Sequence, residues 1–313
     1  MGITRQQALD CFASDDLIGI GMEADALRRN LHPEGVVSYT IDRALDCSIP
    51  DLDSAYASAK KSVNMGATGL VLHANVQQQA TLSHYETLFT GIKQRFPGIW
   101  LHGLTATQIF TLANAAQLPL RDTIARLRDA GLDSIGSNAI ILNDEIRMRV
   151  APHKCSTASW VSVHRTAHQL GIGTTASMVF GVGESTEQRV AHLELLRQLQ
   201  QETDGFTAFT PLAYTANDLN LPEPTAVEYL TTLAVSRLYL DNIPNIEGSW
   251  ATQGIKVLQM GLRFGGNDVG SVLLEERFGK PGGATEEELR RIIREAGFKP
   301  VQRDIPYRTN FLN

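Results

Sequence analysis

Eight short runs rich in apolar and β-branched residues recur along the chain, each parted from the next by a segment patterned as a helix. That alternation leaves few folds open. The runs are 36–43 (VVSYTIDR), 69–74 (GLVLHA), 99–104 (IWLHGL), 133–138 (DSIGSN), 172–181 (IGTTASMVFG) and 205–212 (GFTAFTPL). A short strand and a glycine-rich second strand follow within 241–276, on either side of an apolar-striped helix. Runs apolar on both faces suit strands covered from both sides, and βα alternation calls for a parallel sheet. With 313 residues, the economical closure is one barrel. The expectation is therefore an α/β fold, a single (β/α)8 TIM barrel. Residues 1–35 form a cap of two helices, the second started by Ser14; 36–271 form the barrel; 272–313 form a C-terminal helix and tail, with 281–283 as a loop. Between the strands, helices are expected over 53–65, 82–96, 106–130 (two), 156–170, 186–203 and 226–240. A last one, over 285–296, opens with a capping-box pattern at Thr285 and Glu288.

Charge and cysteine usage narrow the function. A net charge of −6 offers no basic face, so nucleic acid is not an expected partner. Cys11, Cys47 and Cys155 are odd in number and far apart, which suits a reducing, cytoplasmic setting and supplies neither a disulfide framework nor a metal cluster. The N-terminal residues lack the apolar core of a signal peptide, and no run approaches a membrane span. The expected partner is a small molecule, with a homo-oligomer as a further expectation.

In such a barrel the C-terminal strand ends carry the chemistry. These ends present Asp42, Arg43, His73, His102, Ser137, Asn138, Ser177, Thr210, Glu247 and Asp268. His73 and His102 stand at equivalent points of adjacent strands and suit proton transfer at neutral pH, with Asp42, Glu247 or Asp268 as the carboxylate partner. Asp42 and Arg43 read equally well as a structural ion pair. His164 and His168 have the i, i+4 spacing of a zinc pair but lack the intervening Glu, so they read as a solvated helix face, and no metal site is expected. The amides of GVGES, 181–185, precede a helix and could hold an anion.

From about His102 onward several long stretches stand out. They are RDAGLDSI, APHKCS, RTAHQLGIGTTASMVFG, EYLTTLAVSRLYLDNIPNI and SWATQGIKVLQMGLRFGGNDVGS, with LRRNLHPEGVVSYTIDR upstream. Through them the chain resembles the radical S-adenosylmethionine (SAM) enzymes that cyclise dehypoxanthine futalosine in the futalosine route to menaquinone. Aminofutalosine synthase and the deazaflavin-cofactor synthases are relatives. The resemblance implies a cluster-binding CxxxCxxC after the first strand, but here the sequence runs Arg43-Ala-Leu-Asp-Cys47-Ser-Ile-Pro. His73-Ala74-Asn75 and Gly136-Ser-Asn-Ala-Ile140 stand where that family has glycine-rich SAM contacts. These departures lead to the expectation of no cofactor, neither iron–sulfur cluster nor SAM. What the resemblance then implies is a futalosine-like or aromatic, polar ligand. Trp250, Thr252, Gln253, Asp268 and Ser271 match family positions, and Arg43, Ser137, Asn138 and Thr210 join them as binding candidates. Two roles follow: a non-radical lyase, isomerase or hydrolase, or a non-catalytic partner of an intact radical SAM paralogue.

Overall fold

A computed structural model of the chain describes residues 2–47, 51–73, 80–137, 139–215, 219–272, 284–308 and 310–311. Two helices, α1 (Arg5–Ala13) and α2 (Leu17–Leu31), come first. Asp16, not Ser14, caps α2, its carboxylate accepting from Gly19 N–H, while Ser14 ends α1. The carboxylate suits the positive end of the helix dipole.

The expected first strand is two. β1 (Val36–Thr40) and β2 (Asp42–Asp46) are parted only at Ile41, and each has its own neighbours. The other strands are β3 (Gly69–His73), β4 (Trp100–Thr105), β5 (Ser134–Gly136), β6 (Gly173–Phe180), β7 (Phe206–Ala213), β8 (Asn245–Ile246) and β9 (Asp268–Ser271). Among the described residues β2 to β8 form a seven-stranded sheet in chain order, with every adjacent pair parallel. β9 pairs with β1, and the bridge Glu247–Asp268 joins β8 to β9. Because β1 runs on into β2, the ring closes, and the fold is the expected TIM barrel of radical-SAM-like type.

Alternation along each strand sends one set of side chains outward and the other into the lumen. Leu45, Leu70, Leu72, Leu101, Ile135 and Met178 are buried in the outer layer against Leu88, Phe89, Ile109, Leu127, Trp160 and Leu193 of the surrounding helices. Each such aliphatic contributes about 1.5–3 kcal/mol. The helices are α3 (Leu52–Asn64), α4 (Leu82–Arg95), α5 (Ala106–Ala116), α6 (Leu120–Ala130), α7 (Asp144–Val150), α8 (Thr157–Gln169), α9 (Thr186–Thr203), α10 (Ala226–Tyr239), α11 (Trp250–Gln253) and α12 (Ile255–Gly261). The last, α13 (Glu286–Glu295), starts with the expected Thr285–Glu288 capping box. No described helix is long and apolar enough to cross a membrane.

The tail adds two strands not anticipated from the sequence, β10 (Lys299–Arg303) and β11 (Asn310–Phe311). β10 lies parallel to β1 and occupies the edge that β1 would otherwise offer to β3. Ile305, just beyond it, packs so close to Gly69 that a side chain there would overlap its Cδ1. The tail thereby plugs the N-terminal end of the barrel. A cavity of about 540 Å³ opens beside the plug, lined in part by His32, Ser38, Asn245, Asn267 and Tyr307. Residues 74–79 and 273–283, among them the expected loop at 281–283, lie outside the described residues.

Candidate functional site

The lumen face of the strands carries four polar groups of residues. On β3 and β4, His73 and His102 both face inward, but not at equivalent points. His102 pairs with Val71 and His73 with Asp46, so His73 stands two positions nearer the C-terminal mouth. His102 is mid-strand, its Nδ1 2.8 Å from Ser134 Oγ, which also accepts from Trp100 Nε1 at 2.7 Å. Its Nε2 is turned toward Gly136, where a Cβ would lie 3.6 Å away.

Asp42 opens β2 and pairs with Gly69 at the start of β3, so it stands well below the strand end where it was expected. Its carboxylate accepts from Thr40 Oγ1 at 3.0 Å, and its N–H donates to Ser271 Oγ at 3.4 Å. The strand continues because Asp42, Ala44 and Asp46 alternate with Arg43, Leu45 and Cys47. Arg43 is on the outer set, paired with Leu70, and its Nε is buried with no hydrogen-bond partner. It therefore faces away from the lumen, on the opposite side of the strand from the Asp42 side chain.

A third group joins Ser137, Ser177 and Thr210. Ser177 Oγ donates to Ser137 Oγ at 3.1 Å, and Ser177 pairs with Thr210 across β6 and β7. Asn138 lies outside the described residues.

The fourth group sits at the β8–β9 seam. Asp268 is fully buried and receives Arg303 of β10 bidentately, Nε to Oδ2 at 2.5 Å and Nη2 to Oδ1 at 2.8 Å, while Ser38 Oγ also donates to it. Burial alone would lower the guanidinium pKa, but the charge of Asp268 outweighs it and the pKa rises. Both carboxylate oxygens of Asp268 are thus taken up in a buried ion pair. Glu247 remains, at the end of β8 with a side chain 23 % exposed.

Three other expectations change. Trp250 packs behind β1 and β9 with Val37, Tyr39, Leu258, Val269 and Leu289, on the side away from the lumen, and its Nε1 is buried without a partner. Thr252 and Gln253 share its short helix, bonded to Ser249 Oγ at 3.5 Å and Pro224 O at 3.3 Å. His164 and His168 are not solvated. They pack on Phe206 and share Thr174 Oγ1 at 2.9 and 2.7 Å; burial pulls His168 down to about 4 and His164 well below its ordinary value. The GVGES loop does hold an anion, but its own: Gly181 and Val182 N–H each donate to the Glu184 carboxylate at 2.8 Å, and Arg189 binds it at 2.7 Å. Lys154, between α7 and α8, is a further partly buried cation. Burial, then the charge of Arg147, lowers it to about 8; its neighbour Cys155 receives Thr107 and Arg147. Nothing in the sequence separates this lysine from an exposed one.

The profile described as the CofH/MqnC C-terminal region matches residues 203–312. Cyclic dehypoxanthine futalosine synthase of Halalkalibacterium halodurans is 30 % identical over 335 residues, covering 97 % of this chain and 90 % of that protein. The chain belongs to this radical SAM family. Aminodeoxyfutalosine synthase of Thermus thermophilus is 39 % identical over 272 residues, covering 82 % of this chain and 73 % of the relative. In fold, the chain is similar to methylornithine synthase (PylB), with a TM-score of 0.69 and 15 % identity over 96 % of this chain and 94 % of that one. It is also similar to the FeFe-hydrogenase maturase HydG of Carboxydothermus hydrogenoformans, with a TM-score of 0.73 and 16 % identity over 98 % and 78 %.

Membership in the family overturns the expectation of no cofactor. The relatives and structural neighbours are radical SAM enzymes, which use an iron–sulfur cluster and SAM. How this chain would hold a cluster is not given by its three cysteines. Cys11 lies on α1, Cys47 follows β2 and Cys155 precedes α8. Cys47 Sγ donates to His73 O at 3.0 Å, and burial pushes its thiol up to about 12, away from the thiolate a metal needs. Among the described residues no three His, Cys, Asp or Glu side chains converge as metal ligands. The described donors therefore do not fit a three-thiolate site.

Proposed function

We propose that the chain binds a futalosine-like or other aromatic, polar small molecule at the C-terminal face of the barrel, and that Glu247 and His102 move protons on it. One observation carries this reading. In a chain 30 % identical along nearly its whole length to a futalosine-pathway synthase, the lumen sets a histidine on β4 opposite a carboxylate on β8. Four strand steps part them, so each would meet a different side of a ligand lying between, an arrangement suited to removing a proton at one position and returning one at another. Ser134 fixes the His102 ring through Nδ1. Thr210, Ser137 and Ser271 would supply neutral hydrogen bonds, and His73 stands nearest the mouth. A lyase or isomerase step fits these groups; hydrolysis would need only an added water.

Thermal shift with dehypoxanthine futalosine and related aromatic acids tests the binding. A ligand at one hundred times its dissociation constant adds about 2.7 kcal/mol, or about 4 °C for a chain this long. His102→Ala and Glu247→Gln are expected to abolish turnover while the ligand still binds. If no compound of this class stabilises the protein, the proposal fails. Iron and sulfide analysis after anaerobic reconstitution, with SAM titration, measures the family's cofactors directly.

A second reading is a ligand-binding partner of a radical SAM relative, and the placement of the three cysteines on separate elements favours it. Co-elution of the two chains, together with ligand binding but no turnover, would select it.

A further inference from the structure

The seam between β8 and β9 contains a residue from the far C-terminus. Arg303 has a side chain 4 % exposed and clamps the fully buried Asp268 with two hydrogen bonds, 2.5 and 2.8 Å. Its Nη2 also lies 3.8 Å from Glu247 Oε2 and donates to Tyr307 Oη at 2.8 Å. The Tyr307 ring lies against the guanidinium, 3.7 Å from Cζ to the centroid. Space for Glu247 depends on Gly270. A Cβ there would stand 2.8 Å from Glu247 Oε1, and its φ of +72° disfavours any other residue.

Among the described residues, the charged and titratable groups that face Glu247 include Arg303 from β10, Asp268 from β9, Tyr307 from the tail and Tyr229 from α10. Burial pushes both phenols up, so they stay neutral. Among these described groups the charges are one cation and one anion, bound to each other.

We propose that Arg303 and Asp268 are a positioning pair for Glu247. Arg303 holds it as a carboxylate in one orientation, and Asp268 limits that attraction so that the carboxylate can still take a proton. The inference rests on the reading of Glu247 as a proton-transfer group. The test needs no turnover.

Removing either partner should move Glu247 in opposite directions. Arg303→Met leaves Asp268 as an uncompensated like charge, so Glu247 titrates at higher pH. Asp268→Asn leaves Arg303 uncompensated, so it titrates at lower pH. A charge within about 4–6 Å shifts a carboxylate by roughly one to three pH units. Carbon-13 NMR of selectively labelled glutamate carboxyls, with Glu247 assigned by its loss in Glu247→Gln, reads the titration. The expected result is a shift of about one pH unit or more upward for Arg303→Met and downward for Asp268→Asn. A purely structural pair would loosen the site either way and move Glu247 in the same direction in both variants, and that result overturns the proposal. If Arg303→Met does not fold, Arg303→Lys carries the test with Asp268→Asn. The lysine variant should keep Glu247 within about half a unit of wild type while the asparagine variant moves it down, and any other pattern overturns the proposal. Opposite shifts in a protein that turns over nothing would leave the positioning role standing and remove the enzymatic reading. Unchanged titration in an active protein would do the reverse.

Discussion

Truncating Asp268 to alanine tests the claim that the seam is held by a buried ion pair. The wild-type pair has two charge-assisted bonds, side chains 4 % and 0 % exposed, and a further donor in Ser38. Asp268→Ala strands the Arg303 guanidinium in the barrel with Tyr307 beside it and Glu247 at 3.8 Å as the nearest described carboxylate. Breaking a buried pair by removing one member costs about 3–5 kcal/mol. At roughly 2.1 cal/mol/K per residue, that lowers the melting temperature by about 5–8 °C. Urea unfolding followed by both tryptophan fluorescence and circular dichroism measures the free energy and checks that the two probes agree. The double variant Asp268→Leu with Arg303→Met removes both charges and should regain most of the loss. An alanine variant within about 1 kcal/mol of wild type, or a double variant no better than the single one, would refute the reasoning.

Acid should destabilise the protein through His168 and His192, which burial pulls to about 4 and about 3. Their unfolded forms bind protons first, so this stability is fully present above about pH 6.5 and is lost as pH falls toward 4; His168→Gln should flatten the fall in urea titrations across that window. Gly103→Ala should cost more than about 3 kcal/mol, because its Cβ would lie 2.6 Å from Leu72 Cβ and 2.7 Å from the Leu72 carbonyl oxygen, and that backbone cannot yield. Soluble expression and thermal melts will show it, and a variant as stable as wild type would contradict the close approach of β4 to β3. Glu184→Gln should weaken the β6–α9 turn by about 1–2 kcal/mol, since it removes the charge that receives two amides and Arg189; faster hydrogen exchange at Gly181 and Val182 is the expected sign. Limited proteolysis should yield no two stable halves if 36–271 is one unit.

The sequence alone determined the barrel, because strand and helix patterns are local: β-branched runs such as 172–181 and the Thr285 cap act within a few residues of themselves. The lumen set could be read from it too, where alternation holds, as at His102 and Glu247. The split at Ile41 could not, because Ala44-Leu45-Asp46 is a weak strand former that extends only when β3 pairs with it. Nor could the fates of the charged and aromatic residues. Asp268 and Glu247 look alike in the sequence. One is neutralised and the other keeps a partly exposed side chain because Arg303 returns from 35 residues away to meet Asp268. Likewise His164 and His168 pack inward on Phe206, and Trp250 turns behind β9. Which face a side chain meets depends on what the rest of the chain brings against it, and that is a long-range property the local pattern does not carry.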